Sequence, residues 1–377
     1  MCGIVGCLAL ALEAEPDYAW VGTATQRISH RGPDDEGFYS DHDVALGYKR
    51  LAIIDLSQAG HQPMRSADGR YWMVFNGEIY NYVELGAELR EQGVVLRSSC
   101  DSEVLLETYA RVGKDVVHRL RGMFAFAIWD SWTRELFCAR DQFGIKPFYY
   151  RLDRAPRAPR ARGARGGGRH AAPGPDAEAA DAGPAGGPDD WHTPHPRQAG
   201  TGRHAADPAR DAGLTGRLPL SPSAAPGPRG DTSQAAPERL LRFASERKAL
   251  ADPGELRALD PDALRRYLSF QYVPPPGTLT PPVRVLPPGH AMIARPGRPV
   301  DVYRFWRADL RPARQSSEST PRAILAAMRD SIAVHLRSHA PLGAFLSGGI
   351  DSAARAQMAA ESMPLDRKAP SGASLRR

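Results

Sequence analysis

The sequence predicts an α+β sandwich over residues 2–150, followed after a break in composition by the beginning of an α/β unit. Three observations predict it. Short apolar runs with period-two alternation dominate the first 150 residues. Two stretches with helical spacing are set among them. Near the C-terminal end, an apolar run enters a Ser/Gly loop and then a helical pattern.

Ile4–Leu12, Val44–Ile54, Tyr71–Phe75, Phe124–Asp130 and Glu135–Arg140 read as strands. Tyr82–Gln92 and Ser102–Val112 read as helices, with Leu85 and Leu89, and Leu105, Leu106 and Tyr109, each on one face. Sheets carrying helices on one side are the natural summary. The 377 residues are 42% hydrophobic, enough for real cores, but 36 Gly and 34 Pro are too many for ordinary globular structure throughout. The net charge of +6 could suggest nucleic acid. However, the arginines are dispersed, with no basic stripe interleaved with aromatics, so nucleic acid is not expected as a partner. Cys2, Cys7, Cys100 and Cys138 show neither metal spacing nor a disulfide framework, which fits a reducing cytoplasm. Ile4–Leu12 lacks a preceding basic residue and is too short to span a bilayer, so neither a signal peptide nor a membrane is expected.

The opening residues Met1-Cys2-Gly3-Ile4 suggest chemistry. Once the initiator Met is removed, Cys2 carries a thiol and a free α-amine on one residue. That amine, ordinarily near pKa 7.7–8, can serve as the general base for the thiol nucleophile. The alternative is that Cys2 merely opens a buried strand. Three polar stretches have similarly double readings. His30-Arg31-Gly32-Pro33-Asp34 reads as a turn. Phe75-Asn76-Gly77-Glu78 contains the strongest short hairpin signal, Asn-Gly, but an amide beside a backbone N–H is also an oxyanion hole. In Ser99-Cys100-Asp101-Ser102-Glu103, a Ser or Asp could cap the next helix.

Cys2-Gly3-Ile4, His30–Asp34, Gly47-Tyr48-Lys49-Arg50-Leu51, Asn76–Asn81, Cys100–Glu103 and Phe143-Gly144-Ile145-Lys146-Pro147 occur in this order. The set resembles the glutamine amidotransferase domain of asparagine synthetases, the class with an N-terminal nucleophile, and covers residues 2–150. The resemblance implies an Ntn-hydrolase sandwich in which Cys2 attacks the glutamine amide and Asn76 with the Gly77 N–H stabilises the oxyanion. It further implies that Arg50 holds the substrate carboxylate and Glu78 and Asp101 its ammonium, with Arg50, Leu51, Ala52, Ile53 and Ile54 walling the pocket. A guanidinium fork suits a carboxylate, so the implied roles are chemically coherent. Glutamine hydrolysis needs no cofactor and no metal.

From Asp153 to Pro237 there is no Ile, Val, Phe, Tyr, Met, Lys, Asn or Cys, one Trp and three Leu. Residues 151–240 therefore read as a disordered low-complexity insertion, either inserted or read out of frame. His192 and His195 beside Trp191 read as solvated rather than as a metal site. The family pattern resumes at Leu241–Leu250, and residues 241–320 read as a return to the first domain and an interdomain connection. Asp262–Phe270 and Pro321–Arg337 are helical, the latter with a core-facing stripe of Leu325, Met328, Ile332 and Leu336. His290 reads as structural.

In Leu342–Ser352 an apolar strand leads into Ser347-Gly348-Gly349-Ile350-Asp351-Ser352 and a helix. Such loops cradle phosphate on their backbone N–H groups. The string resembles the pyrophosphate loop of ATP pyrophosphatases, at the place where the synthetase domain carries it. By resemblance, ATP and Mg²⁺ serve this half, aspartate is activated as its adenylate, and ammonia displaces AMP. Residues 321–363 read as a truncated synthetase domain and 364–377 as an atypical tail. The expected reaction of the family is thus glutamine-dependent asparagine synthesis, with at most glutamine hydrolysis left to this chain. The substrates would be glutamine, aspartate and ATP, and the resemblance implies a homodimer. Two other readings stay open: a non-catalytic partner of an intact synthetase, and a relative forming another amide, such as a β-lactam or a modified peptide.

Overall fold

The computed structural model describes residues 1–154, 238–311 and 319–362. The low-complexity insertion, with Trp191, His192 and His195, lies outside the described residues apart from its two ends, as does the tail 364–377. No helix among the described residues is long and apolar enough to cross a membrane.

Two six-stranded antiparallel sheets form the centre. The first contains β1 (Gly3–Ala9), β2 (Asp35–Ser40), β3 (Val44–Arg50), β8 (Tyr149–Arg154), β9 (Glu238–Ala244) and β10 (Arg284–Val285), in the order β10-β8-β9-β1-β3-β2. The second contains β4 (Met64–Arg65), β5 (Tyr71–Ile79), β6 (Gly122–Asp130), β7 (Glu135–Arg140), β11 (His290–Ala294) and β12 (Asp301–Arg304), in the order β12-β11-β7-β6-β5-β4.

Period-two alternation sorts the side chains into layers. From β1, Ile4 and Leu8 point between the sheets, while Val5 and Cys7 point outward under helix α1 (Tyr18–Arg27). From β6, Ala125, Ala127 and Trp129 join Ile4 and Leu8, whereas Phe124, Phe126 and Ile128 pack under α2 (Tyr82–Glu91) and α3 (Asp101–Val112). The result is a helix–sheet–sheet–helix sandwich, the fold class expected. Every residue of β1 is buried because it is covered on both faces. Gly6 is required there, since a Cβ would stand 2.2 Å from the Phe243 ring.

The sandwich continues past Tyr150. β8 and β9 are antiparallel neighbours, with Tyr149 opposite Ala244 and Arg151 opposite Arg242, so residues 155–237 connect two adjacent strands. β10, β11 and β12 then complete both sheets.

Several local expectations change. Asn76-Gly77 is not a hairpin turn: β5 runs through both residues, opposite Ala125 and Phe124 of β6. A type I′ turn needs positive φ at both central residues, and neither of these has it. No Ser or Asp side chain caps α3; Cys100 is its N-cap without a side-chain bond. Instead the Glu103 carboxylate accepts from the N–H groups of Arg97 and Ser98 at 2.9 and 2.7 Å. Leu342–Leu346 is not a strand, for no described strand lies beside it to supply a ladder. Helix α4 (Ser319–His335) contains no buried residue, so its apolar stripe is half-covered, beside α5 (Ile350–Ser362), rather than part of a core.

Candidate active site

Cys2 stands at the mouth of the sandwich, immediately before β1. Pairing of β1 with β3 sets Gly3 opposite Lys49 and brings the end of β3 alongside the thiol. The Leu51 N–H donates to Cys2 Sγ at 3.4 Å, and the thiol reaches Leu51 O at 3.5 Å. The buried Tyr48 hydroxyl also bonds the Cys2 side chain; burial first, then Cys2, raises its pKa well above the ordinary value. Arg31, buried at the end of a 3-10 turn, donates from Nε to Cys2 O at 2.9 Å and from Nη1 to Glu246 at 3.0 Å.

The second sheet supplies amide donors. With its amide turned so that both ends are satisfied, Asn76 donates to Cys2 O at 3.2 Å and accepts from Arg31 Nη2 at 3.3 Å. A primary amide has two N–H bonds, so one remains for another acceptor. The direction of the Gly77 N–H follows from strand geometry. Phe75 N donates to Gln62 Oε1 at 2.6 Å and Ile79 N to Asp101 Oδ2 at 2.9 Å, both away from β6. Peptide directions alternate along a strand, so Gly77, midway between them, also points its N–H away from β6. The neighbouring β4 begins only at Met64, opposite Met73, leaving the edge of β5 beyond it uncovered where the cavity lies.

This cavity, about 260 Å³, is lined by every residue expected of the glutamine site: Cys2, Arg50, Leu51, Ala52, Ile53, Ile54, Asn76, Gly77, Glu78 and Asp101. Arg50 is buried, and it gives Nη1 to Ser57 O at 2.6 Å and Nη2 to Asp55 O, tying the wall loop to its strand. A guanidinium has five N–H bonds, so three remain. Asp101 opens α3 and is buried; burial raises its pKa to about 6, against the pull of the Ile79 hydrogen bond. Burial also raises Glu78, opposed by the positive charge of Lys146. The lining thus offers two cations, Arg50 and Lys146, and two carboxylates, Glu78 and Asp101, around a thiol and two amide donors.

Lys146 was not singled out by sequence reasoning, nor were Arg31, Tyr48, Gln62 and Ser102. Arg31, Tyr48, Ser102 and Lys146 lie inside the ordered motifs, which was the available signal. Gln62 had none. It works from a loop, accepting from Phe75 N and donating to Ser102 Oγ at 3.2 Å.

The Ser347–Ser352 loop lies elsewhere, at the start of α5. Gly348 has φ +81°, and Ser347 Oγ lies 3.0 Å from Ser352 Oγ. The structure therefore brings together all the residues expected of a glutamine site, and separately those expected of a phosphate loop.

Residues 1–158 match the family described as "Glutamine amidotransferase domain", and residues 323–373 the family described as "Asparagine synthase". The chain is 32% identical to asparagine synthetase [glutamine-hydrolyzing] 1 of Bacillus subtilis, over 97% of this chain and 44% of that protein. Over almost its whole length the chain is thus similar to glutamine-hydrolysing asparagine synthetases. A Mycobacterium bovis protein bearing the same synthetase name is 34% identical over 97% of this chain and 46% of its own length. The chain therefore spans less than half the length of these curated relatives. Among solved structures, the glutamine phosphoribosylpyrophosphate amidotransferase of B. subtilis is similar at 16% identity and TM-score 0.43, over 81% of this chain and 50% of that one.

Proposed function

We propose that the sandwich hydrolyses glutamine, with Cys2 as nucleophile. The observation that carries this reading is the convergence of the Cys2 thiol, the Gly77 N–H, the Asn76 amide, Arg50 and Asp101 on one cavity. After removal of Met1, the Cys2 amine takes the thiol proton and sulfur attacks the substrate amide carbon. The free Asn76 N–H and the Gly77 N–H receive the oxyanion, a contribution of about 3–4 kcal/mol per donor. The same amine returns its proton to nitrogen as the C–N bond breaks, releasing ammonia and leaving a thioester. Water, deprotonated by the amine, attacks the thioester and yields glutamate. The remaining Arg50 donors take the α-carboxylate, and Asp101 with Glu78 takes the α-ammonium.

For the second half we propose the family's use of that ammonia, displacing AMP from aspartyl adenylate. The Ser347–Ser352 loop suits a pyrophosphate: a glycine at φ +81° turns the chain just before the N-terminus of a 13-residue helix. ATP bound there would supply the activating adenylyl group. No cluster of three His, Cys, Asp or Glu among the described residues could hold a metal, so Mg²⁺ would be held chiefly by phosphate oxygens, with Asp351 the acidic residue of the loop.

The test is glutamate and asparagine release from glutamine, aspartate, ATP and Mg²⁺, with a Cys2→Ala control and an electrophilic glutamine analogue. Glutamate formation abolished by Cys2→Ala, with a single adduct at Cys2, is expected. Cys7, Cys100 and Cys138 should stay unlabelled, because burial pushes Cys7 up to about 11, Cys100 to about 12 and Cys138 well above its ordinary value. Glutamate release that survives in Cys2→Ala would sink the reading.

A further inference from the structure

The glutamine-hydrolysis reading leaves one buried charge of the cavity without a role. Lys146 is only 6% exposed, yet among the described residues its ammonium makes no hydrogen bond or ion pair. Its backbone is held in place by Asp141. That carboxylate accepts from the N–H groups of Phe143 and Ile145 through Oδ1, at 3.0 Å each, and from Lys146 and Phe124 through Oδ2, at 3.0 and 3.2 Å. Arg140 closes the loop from the other side, donating to Lys146 O at 2.7 Å and to Gly144 O at 2.6 Å. Six hydrogen bonds, two of them to its own backbone, fix the loop that carries a lysine whose side chain lines the cavity beside Met1 and Cys2. A buried ammonium is costly unless compensated, so a function for the charge itself is the economical explanation.

We propose that Lys146 is a positioning residue of the hydrolysis, its ammonium keeping the Cys2 amine unprotonated and so ready to take the thiol proton. The inference rests on the glutamine-hydrolysis reading and deepens it. The charged groups facing Lys146 are Glu78 from β5, Cys2 and the terminal amine from the segment before β1, Arg31 from the 3-10 turn and Asp141 from its own loop. Asp34 acts on the terminal amine, and His335 and Asp101 face Glu78. Of these, Arg31 acts with Lys146 on the amine, whereas Glu78 and Asp34 oppose them. The terminal amine as it stands, on Met1, is already lowered, first by burial and then by Arg31 and Lys146, with Cys2 and Asp34 opposing. Lys146 itself is lowered, chiefly by burial and against the pull of Glu78 and Cys2.

The experiment is the pH profile of kcat/KM for glutamine hydrolysis in the full chain, for wild type, Lys146→Gln and Lys146→Arg. Removing the charge should move the acid limb upward by roughly 0.5–1 pH unit, a three- to tenfold loss near pH 6.5 that disappears on the alkaline plateau. Lys146→Arg should restore the wild-type limb. An unshifted limb, or a loss equal at all pH values, overturns the proposal. Lys146→Met, which keeps the aliphatic stem, replaces Lys146→Gln if the latter does not fold. Failure of both uncharged variants to fold, with Lys146→Arg folded, would assign the residue a structural role and also overturn it. Wild-type protein releasing no Cys2-dependent glutamate would instead overturn the hydrolysis reading itself.

Discussion

Asp101→Asn should make the protein more stable at neutral pH while weakening its hold on glutamine. Asp101 is 4% exposed, and its pKa is raised from 3.8 to about 6, principally by burial. A folded pKa above the unfolded one means that stability is fully present below pH 3.8 and lost as pH rises through 6. A shift of about two units corresponds to about 3 kcal/mol. The amide of the Asp101→Asn variant cannot ionise, and its oxygen can still accept the Ile79 N–H, now 2.9 Å from the carboxylate. The stability difference between the variant and wild type should therefore be smallest near pH 4 and grow toward about 3 kcal/mol by pH 8. In a sandwich of this size that is a difference in Tm of roughly 6–12 °C. Unfolding of both proteins from about pH 4 to 8 measures it. A difference that does not change with pH would refute the argument.

The same residue gives the ligand arm of the experiment. An α-ammonium beside Asp101 supplies a counter-charge to the buried carboxylate, so glutamine should stabilise wild type more than Asp101→Asn at about pH 7.5. In wild type this ligand-induced shift should fade as pH falls through about 6, when the carboxylate takes up a proton. Equal shifts for the two proteins would remove Asp101 from the glutamine site.

Gly77→Ala should cost both stability and rate. Its Cβ would stand 2.3 Å from Met123 O and 2.5 Å from the Phe75 ring, an overpacking worth about 1–3 kcal/mol, and displacing the N–H should lower kcat roughly a hundredfold. Thermal unfolding and glutamate release check the two halves, and a variant with wild-type kcat would dismiss Gly77 as an oxyanion donor. Replacing residues 155–237 by a tight turn should preserve the fold, because β8 and β9 are already antiparallel neighbours. Shortening the loop about twentyfold should add roughly 2–3 kcal/mol to stability, and a chain that no longer folds would show that the segment takes part in the core.

The elements most legible in the sequence were those buried on one or two faces. Glu135–Arg140 has the same bounds in the sequence reading and in the structure, and Tyr82–Gln92 differs by one residue, because Leu85 and Leu89 face a single core. Asp35–Ser40, an edge strand with mostly half-buried residues, was missed because it has no continuous apolar face. Helix α1 was missed as well: of its residues only Val21, Ala24 and Thr25 are buried, too few to write a clear stripe. Asn76-Gly77 misled because the turn signal is local, whereas its strand setting comes from pairing with residues 124–125, far away in sequence. The site residues were found through ordered motifs and not through periodicity, so a lone supporting residue such as Gln62 could not be found at all.

The proposed site is divided between the two sheets, and this explains why several polar side chains there hold other site residues in place. Cys2, the proposed nucleophile, stands immediately before a strand of one sheet, and Asn76 and Gly77, the proposed amide donors, lie in a strand of the other. Packing between sheets fixes their separation only to the tolerance of side-chain rotamers, whereas oxyanion stabilisation needs donors about 2.7–3.1 Å from the oxyanion. Arg31 supplies the finer constraint by holding Cys2 O and the Asn76 amide oxygen with one planar guanidinium, itself anchored by Glu246. Glu246 follows directly after Ser245, whose hydroxyl accepts the Ile4 N–H at 3.0 Å. The strand that follows residues 155–237 thus belongs with the proposed glutamine site in a chemical sense: it leads to the carboxylate that orients the arginine bridging Cys2 O and the Asn76 amide.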